Sequence, residues 1–140
     1  MMKYLILLGA VMLAFGTGYF FTRPEKCGAA CDKSLISVNA AEFEQNTTKK
    51  DTTIIDVRTA QEYAAGHIAN AVNADFYKTN EFGKFLNGLD KNKQYMIYCR
   101  SGNRSGQTLK LMEQKGFTQV TNLEGGIVSW ESANLPVVKL

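Results

Sequence analysis

Along most of the chain, short segments with the apolar pattern of a strand are followed by segments with the apolar pattern of a helix. Four blocks rich in β-branched and aromatic residues predict strands at 52–57, 71–73, 94–98 and 117–123. Amphipathic stretches between them predict helices, one starting after the N-cap residue Asn39 and others at 60–65, 82–89, 105–115 and 127–133. Strands that alternate with helices are typical of a mainly parallel sheet, so we expect an α/β domain.

One block breaks this alternation, an apolar run from residue 4 to residue 21 without a charged side chain. The run is long enough for a membrane helix, and its aromatic end followed by Arg23 suits a membrane interface. A small-x-small pattern at Ala14-Phe15-Gly16 also allows cleavage as an export signal, and a buried soluble helix is the third alternative. We therefore predict a signal peptide or transmembrane anchor at 1–21, a tether at 22–35 and one folded domain at 36–140.

Two features of the predicted tether bear on where this domain resides. Arg23, Lys26 and Lys33 follow the apolar run, and the positive-inside rule then favours a cytoplasmic domain. A disulfide between Cys27 and Cys31 would suit an oxidising compartment instead, the alternative being two unpaired thiols. We expect a protein exported to a bacterial-type cell envelope (periplasm) or anchored in the membrane through residues 4–21, with the side of the membrane left open.

The charge balance narrows the range of partners. The chain holds 16 Lys and Arg against 13 Asp and Glu, and residues 34–140 hold 12 against 11. Nucleic-acid binders carry a basic patch or stripe, so we predict no nucleic-acid partner. With one histidine and no second close pair of cysteines, the chain has too few ligands for a zinc-type site, and we predict no metal.

The third cysteine, Cys99, stands where a predicted strand ends and a helix is about to begin. Sites in open α/β sheets form at this edge, where backbone N–H groups and a helix N-terminus favour thiolate over thiol. Arg100 and Arg104 add positive charge to the same segment, and Gly102 permits a tight turn. The sequence thus predicts a nucleophilic sulfur in a small anion-binding loop, the alternative being a buried structural cysteine.

Several runs of the chain are similar to the signatures of one protein family and keep their order over residues 36–135. These runs are Asp56 to Arg58, Glu62 to Ile68, Asn70 to Asn73, Cys99 to Ser105, and Leu123 to Ile127 with Trp130. Together they resemble the rhodanese-like sulfurtransferases, in particular the single-domain type with an N-terminal export signal or membrane anchor. The resemblance implies a rhodanese-like fold with about five mainly parallel strands, helices on both faces and one hydrophobic N-terminal helix before it.

The resemblance also implies a reaction. Cys99 would attack the outer sulfur of a small anion such as thiosulfate or polysulfide and become a persulfide, and cyanide or a thiol would then accept that sulfur. Arg100 and Arg104 would hold the donor, and no metal or organic cofactor would be needed. The loop that would bind the substrate consists of Arg100, Ser101, Gly102, Asn103, Arg104 and Ser105.

Three further residues of these runs are expected to support the site rather than to react. Asp56 and Arg58 would pair or brace the loop, and the single histidine, His67, occupies a structural position in the resemblance. Cysteine-dependent phosphatases and arsenate reductases are rivals, but the phosphatases place five residues between cysteine and arginine, and four separate Cys99 from Arg104. A persulfide-carrying or binding module for a partner protein is the other alternative.

Overall fold

A computed structural model describes residues 34–140, in which five strands and five helices alternate. The strands are β1 Ser34–Val38, β2 Thr52–Asp56, β3 Val72–Asn73, β4 Gln94–Tyr98 and β5 Gln119–Leu123. The helices are α1 Ala40–Thr47, α2 Ala60–Ala65, α3 Thr79–Asn87, α4 Asn103–Gln114 and α5 Gly126–Ser132. The expected α/β alternation is therefore confirmed for this part of the chain.

The five strands form one sheet in the order β1-β5-β4-β2-β3, and every neighbouring pair is parallel. Strand β4 lies in the centre, and four of its five residues are buried. Parallel strands leave their carboxyl ends at one edge, so the segments that follow β2, β4 and β5 meet there.

Helices cover both faces of the sheet because successive strand residues point to opposite sides. Ile54 and Met96 pack with Phe43 of α1 and Trp130 of α5 on one face. Ile55 and Ile97 pack on the other face in a second cluster, which includes Leu86 of α3 and Met112 of α4. Continuous burial of the central strand on both sides is typical of a parallel sheet.

Capping side chains and a glycine, all recognisable in the sequence, determine where several of the helices begin or end. The Asn39 side chain accepts a hydrogen bond from the Glu42 N–H, which confirms the predicted start of α1. Thr59 and Glu62 form a reciprocal capping box at the start of α2. Gly116, with φ of 85°, takes the left-handed conformation just after α4, as a helix C-terminus often requires.

Several predicted boundaries are wrong; the helix predicted at 82–89, for example, spans Thr79–Asn87, and the strand predicted from residue 117 begins at Gln119. The predicted tether at 22–35 includes Ser34 and Leu35, which are the first residues of β1 and pair with Gln119 and Val120 of β5. Helix α4 was expected from residue 105 but begins at Asn103, because the left-handed turn at Gly102 starts the helix at once. The predicted N-terminal hydrophobic helix, Cys27 and Cys31 lie outside the described residues. No helix within residues 34–140 is long and apolar enough to cross a membrane.

Candidate active site

The Cys99 thiol lies at the base of the loop between β4 and α4. Cys99 is only 1% exposed, and its Sγ accepts a hydrogen bond from the Gly102 N–H at 3.1 Å. The Ser105 hydroxyl donates a second hydrogen bond to Sγ at 3.4 Å. The left-handed conformation of Gly102, with φ of 94°, folds the loop back so that its N–H and the first turn of α4 reach the sulfur.

These donors control the ionisation of the thiol. Burial raises the pKa of Cys99, but the Ser105 hydroxyl and the N–H groups of Ser105, Ser101 and Gly102 outweigh it and leave the pKa below its ordinary value. Hydrogen bonds to the charged form stabilise that form, and the thiolate is the nucleophile. The loop therefore holds a sulfur that ionises more readily than an ordinary cysteine.

A pair of glycines brings the start of α5 into direct contact with this loop. The Ile127 N–H donates to the Cys99 carbonyl at 2.8 Å, and the Val128 N–H donates to the Arg100 carbonyl at 3.2 Å. A Cβ at Gly126 would lie 2.5 Å from backbone atoms of both loop residues, so no larger residue fits without a shift of the backbone. Helix α5 thus supports the loop from outside.

The side chain of Arg104 is held away from solvent by Glu62 of α2. Its two terminal nitrogens each donate to a Glu62 carboxylate oxygen at 2.8 Å, and its guanidinium lies 5.4 Å from the centre of the Tyr77 ring. The Arg104 hydrogen bond, supported by the capping contacts of Thr59, lowers the pKa of Glu62 to about 2. Glu62 in turn raises the pKa of Arg104. The pair fixes the first turn of α4 against α2.

The other residues of the loop differ in what their side chains contact. Arg100 is exposed, and no ion pair within residues 34–140 involves its guanidinium. The Asn103 side chain accepts a hydrogen bond from Gln107 at 2.8 Å and so turns along α4. Ser101 is exposed and acts on Cys99 through its backbone N–H.

A buried network lies beneath the loop and contains two of the predicted supporting residues. Arg58 donates to the Asp56 carboxylate, with Nη2 at 2.6 Å from Oδ2, and the same nitrogen donates to the Gly66 carbonyl at 2.7 Å. Tyr98, the last residue of β4, accepts a hydrogen bond from the Ile68 N–H at 3.1 Å. Burial and the Asp56 carboxylate raise the pKa of Tyr98. Asp56 is the last residue of β2 and Tyr98 is the last residue of β4, so these contacts brace the two strands where the loop begins.

The single histidine lies in a separate packing arrangement. The His67 ring stacks on Tyr63 with centroids 3.7 Å apart, and its Nδ1 lies 2.9 Å from the Tyr63 carbonyl. Its backbone forms an antiparallel bridge with Val138. The described contacts of His67 thus join α2 to the C-terminal segment and do not include Cys99.

Comparison with known proteins identifies the family. The model of the rhodanese-like domain matches residues 39–133. The chain belongs to the rhodanese-like domain family. It is 35% identical over 107 residues to a sulfurtransferase of Allochromatium vinosum, a match that covers 76% of this chain and 92% of that protein. It superposes on the crystal structure of a rhodanese-related protein from Thermoplasma volcanium with a TM-score of 0.63 and 36% identity, covering 73% of this chain and 96% of that one.

A second kind of relative is much longer than this chain and matches it over one part of its length. The tRNA uridine(34) hydroxylase of Pelagibacter ubique is 38% identical over 99 residues, which are 71% of this chain. The match covers only 33% of the hydroxylase, so the present chain spans a third of that protein.

Two features of this rhodanese-like site were not predicted from the sequence. Glu62 was recognised as part of a family run but was given no role, although its capping-box spacing from Thr59 shows that its carboxylate is held near α2's first turn. The contact of Gly126 with the loop was also missed, and the adjacent glycines at 125–126 were its signal. Within residues 34–140 no group of three or more His, Cys, Asp or Glu side chains is arranged to hold a metal ion.

Proposed function

We propose that the protein is a sulfurtransferase that transfers a sulfane sulfur through a persulfide on Cys99. The donor is a small anion such as thiosulfate or polysulfide, and the acceptor is cyanide or a thiol. The observation that carries this proposal is the pair of hydrogen bonds that Gly102 and Ser105 donate to the buried Sγ. They favour the thiolate, and membership of the rhodanese-like family and similarity to a sulfurtransferase support the same activity.

The reaction has two covalent steps that balance without a metal or an organic cofactor. In the first, the Cys99 thiolate attacks the outer sulfur of thiosulfate, an S–S bond forms on Cys99, and sulfite leaves with the electrons of the broken bond. In the second, cyanide attacks the outer sulfur, thiocyanate forms, and Cys99 is released as thiolate. Such an exchange gives ping-pong kinetics. The N–H groups of the loop stabilise the terminal sulfur, which carries the charge of the persulfide.

The loop geometry favours sulfur transfer over phosphate-ester hydrolysis. Four residues separate Cys99 from Arg104, and the guanidinium that would clamp a phosphate already binds Glu62 through both terminal nitrogens. Arg100, the exposed arginine of the loop, is therefore the residue that we propose to bind the anionic donor. Arg104 supplies fixed charge and holds the loop in place.

We also propose that residues 4–21 place this enzyme at the bacterial-type cell envelope, as a membrane anchor or as an export signal. The support is the uncharged apolar run with its flanking basic residues. Mass spectrometry of the protein purified from its own cells tests this. An N-terminus at residue 1 or at a cleavage site near residue 16 distinguishes the two versions.

The assay that tests the activity combines thiosulfate with cyanide and measures thiocyanate, together with the mass of the protein after thiosulfate alone. The wild type is expected to form thiocyanate and to gain the mass of one sulfur atom, whereas Cys99→Ser does neither. A Cys27→Ser, Cys31→Ser double variant is the matched control and keeps both properties. Thiocyanate formation by Cys99→Ser at the wild-type rate would refute the proposal, and sulfur loading without turnover would instead indicate a persulfide carrier.

A further inference from the structure

A cavity of about 290 Å³ opens beside the catalytic loop, between α2 and α5. Arg100, which follows the nucleophile, forms part of its wall, and Ile127, which hydrogen-bonds the Cys99 carbonyl, forms another part. Its volume lies near the lower end of the range for ligand sites, about 300 to 1,000 Å³. A molecule of the size of a single amino acid therefore suits it better than a large ligand does.

Four charged side chains line this cavity, and two of them are matched within the protein. Arg58 is paired with Asp56, and Glu62 is paired with Arg104. The other two, Arg100 and Glu131, are exposed and take part in no ion pair among the described residues. The cavity thus presents one unpaired cation and one unpaired anion.

The positions of these two charges follow from the backbone. The Val128 N–H holds the carbonyl of Arg100, and Glu131 lies three residues further along α5, on the same helix face as Val128. Val128 and Ile127 supply an apolar wall near the two charges. A ligand that matches this arrangement has a carboxylate, an ammonium group and a short apolar body.

We propose that this cavity binds the sulfur acceptor and that the acceptor is a small zwitterionic thiol of the amino-acid type. Arg100 binds its carboxylate and Glu131 binds its ammonium group. This inference rests on the proposed sulfurtransferase function and names the acceptor class for the same site. Glu131 is then a specificity-determining residue on a helix outside the catalytic loop.

The transfer step balances with this acceptor. The thiolate of the bound acceptor attacks the outer sulfur of the Cys99 persulfide, the bond between that sulfur and Cys99 Sγ breaks, and Cys99 leaves as thiolate. The product is the acceptor's own persulfide anion. No oxidant or reductant is consumed.

Single-turnover discharge of the persulfide tests the proposal. Full-length protein is loaded with thiosulfate, freed of excess reagent, and mixed with one of four thiols, and loss of the added sulfur is followed by mass. The thiols are L-cysteine, cysteamine (no carboxylate), 3-mercaptopropionate (no ammonium) and 2-mercaptoethanol (neither). Each rate constant is compared as the ratio of variant to wild type, so the different reactivities of the thiols cancel.

Glu131→Gln is expected to slow discharge by cysteine and cysteamine about three- to fivefold, as for loss of a solvent-accessible ion pair, and to leave the other two thiols unchanged. Glu131→Lys should slow those two further and accelerate 3-mercaptopropionate. Glu44→Gln, which removes an exposed carboxylate of α1 away from the cavity, is the matched control and changes no ratio.

Two results would overturn this inference, and they differ from failure of the proposed function. Equal ratios for all four thiols in both Glu131 variants would show that the cavity does not select an ammonium group. The same would follow if Glu44→Gln reproduced the pattern, because the effect would then reflect net charge alone. Absence of any loaded persulfide in the wild type would instead refute the sulfurtransferase function itself.

Discussion

The two arginines of the catalytic loop lie four positions apart and differ in almost every physical respect. Arg104 donates two hydrogen bonds to Glu62, lies 5.4 Å from the centre of the Tyr77 ring and has a side chain that is only 12% exposed. Arg100 is exposed and borders an open cavity. The same residue type in one short run therefore supplies a structural brace at one end and an available cation at the other.

This difference shows that a cation in a substrate-binding run is available to a substrate only when the fold leaves it unpaired. From the sequence both arginines were expected to hold the donor, because each adds positive charge next to Cys99. The carboxylate that binds Arg104 belongs to Glu62 of α2, 42 positions away along the chain. Pairing across that distance is a property of the fold, and it leaves Arg100 as the loop arginine that is free to bind an anion.

The largest expected effect separates the two arginines by stability. Arg104→Met leaves the half-buried Glu62 carboxylate without its partner and should lower the free energy of unfolding by about 1–3 kcal/mol, between the values for exposed and buried pairs. Arg100→Met should change it by less than about 0.5 kcal/mol, as is usual for exposed sites. Urea denaturation midpoints of both variants measure this contrast.

Sulfur loading from thiosulfate provides the complementary readout for the same pair. Arg100→Met should raise the thiosulfate concentration needed for half-maximal loading, whereas Arg100→Lys should retain part of the affinity because it keeps the charge. Equal destabilisation by Arg100→Met and Arg104→Met would contradict the proposed difference between the two arginines and would assign Arg100 a structural role.

A smaller effect is expected in the pH dependence of stability. The pKa of Glu62 is lowered from 4.5 to about 2 in the folded protein, so its contribution is fully present above pH 4.5 and is lost as the pH falls towards 2. Glu62→Gln should therefore lose less stability than the wild type over that window. Unfolding measured at several pH values in this range gives the difference.

Glu131→Gln is the control for this pH dependence, since its exposed carboxylate has no ion-pair partner among the described residues. It should follow the wild-type curve. A Glu62→Gln curve that also coincides with the wild type would mean that the Arg104 pair contributes nothing to folding.

The smallest expected effect concerns reactivity rather than stability. Ser105→Ala removes a hydroxyl that donates to Sγ, so the pKa of Cys99 should rise and alkylation by iodoacetamide should titrate at higher pH. Ser101→Ala is the matched control, because Ser101 acts through its backbone N–H, which alanine retains. A rise in both variants would mean that the loop backbone moves and that the hydroxyl itself is not the cause.

The sequence predicted the parts of the molecule that local pattern determines. Strand β4 was predicted with its observed bounds because four of its five residues are apolar or aromatic and a clear turn signal follows them. Asn39 and Gly116 marked helix ends through side-chain capping and positive φ, which act within a few residues. The position of Cys99 at the end of that strand followed from the same local signals.

The parts that were missed depend on distant partners. Strand β1 has exposed residues in its middle, with Ile36 44% exposed. Its register is set by pairing with β5, whose residues lie 85 positions later. The Glu62–Arg104 ion pair likewise forms only when separate helices meet at the loop. The position of Glu131 in the cavity wall depends on the same packing. The composition of the chain and the spacing of residues along it do not reveal which distant residues lie close together in the fold.

The close approach at Gly126 has a consequence for how this domain tolerates variation. In a saturation-mutagenesis library selected for function, every substitution at Gly126 should be depleted, because even a methyl group would meet the backbone of Cys99 and Arg100 at 2.5 Å. Gly106, inside α4, has open space where its Cβ would lie, and alanine there should be neutral or gain about 0.5–1 kcal/mol of stability. Two glycines only twenty positions apart in the same catalytic framework should therefore differ sharply in the substitutions that they tolerate.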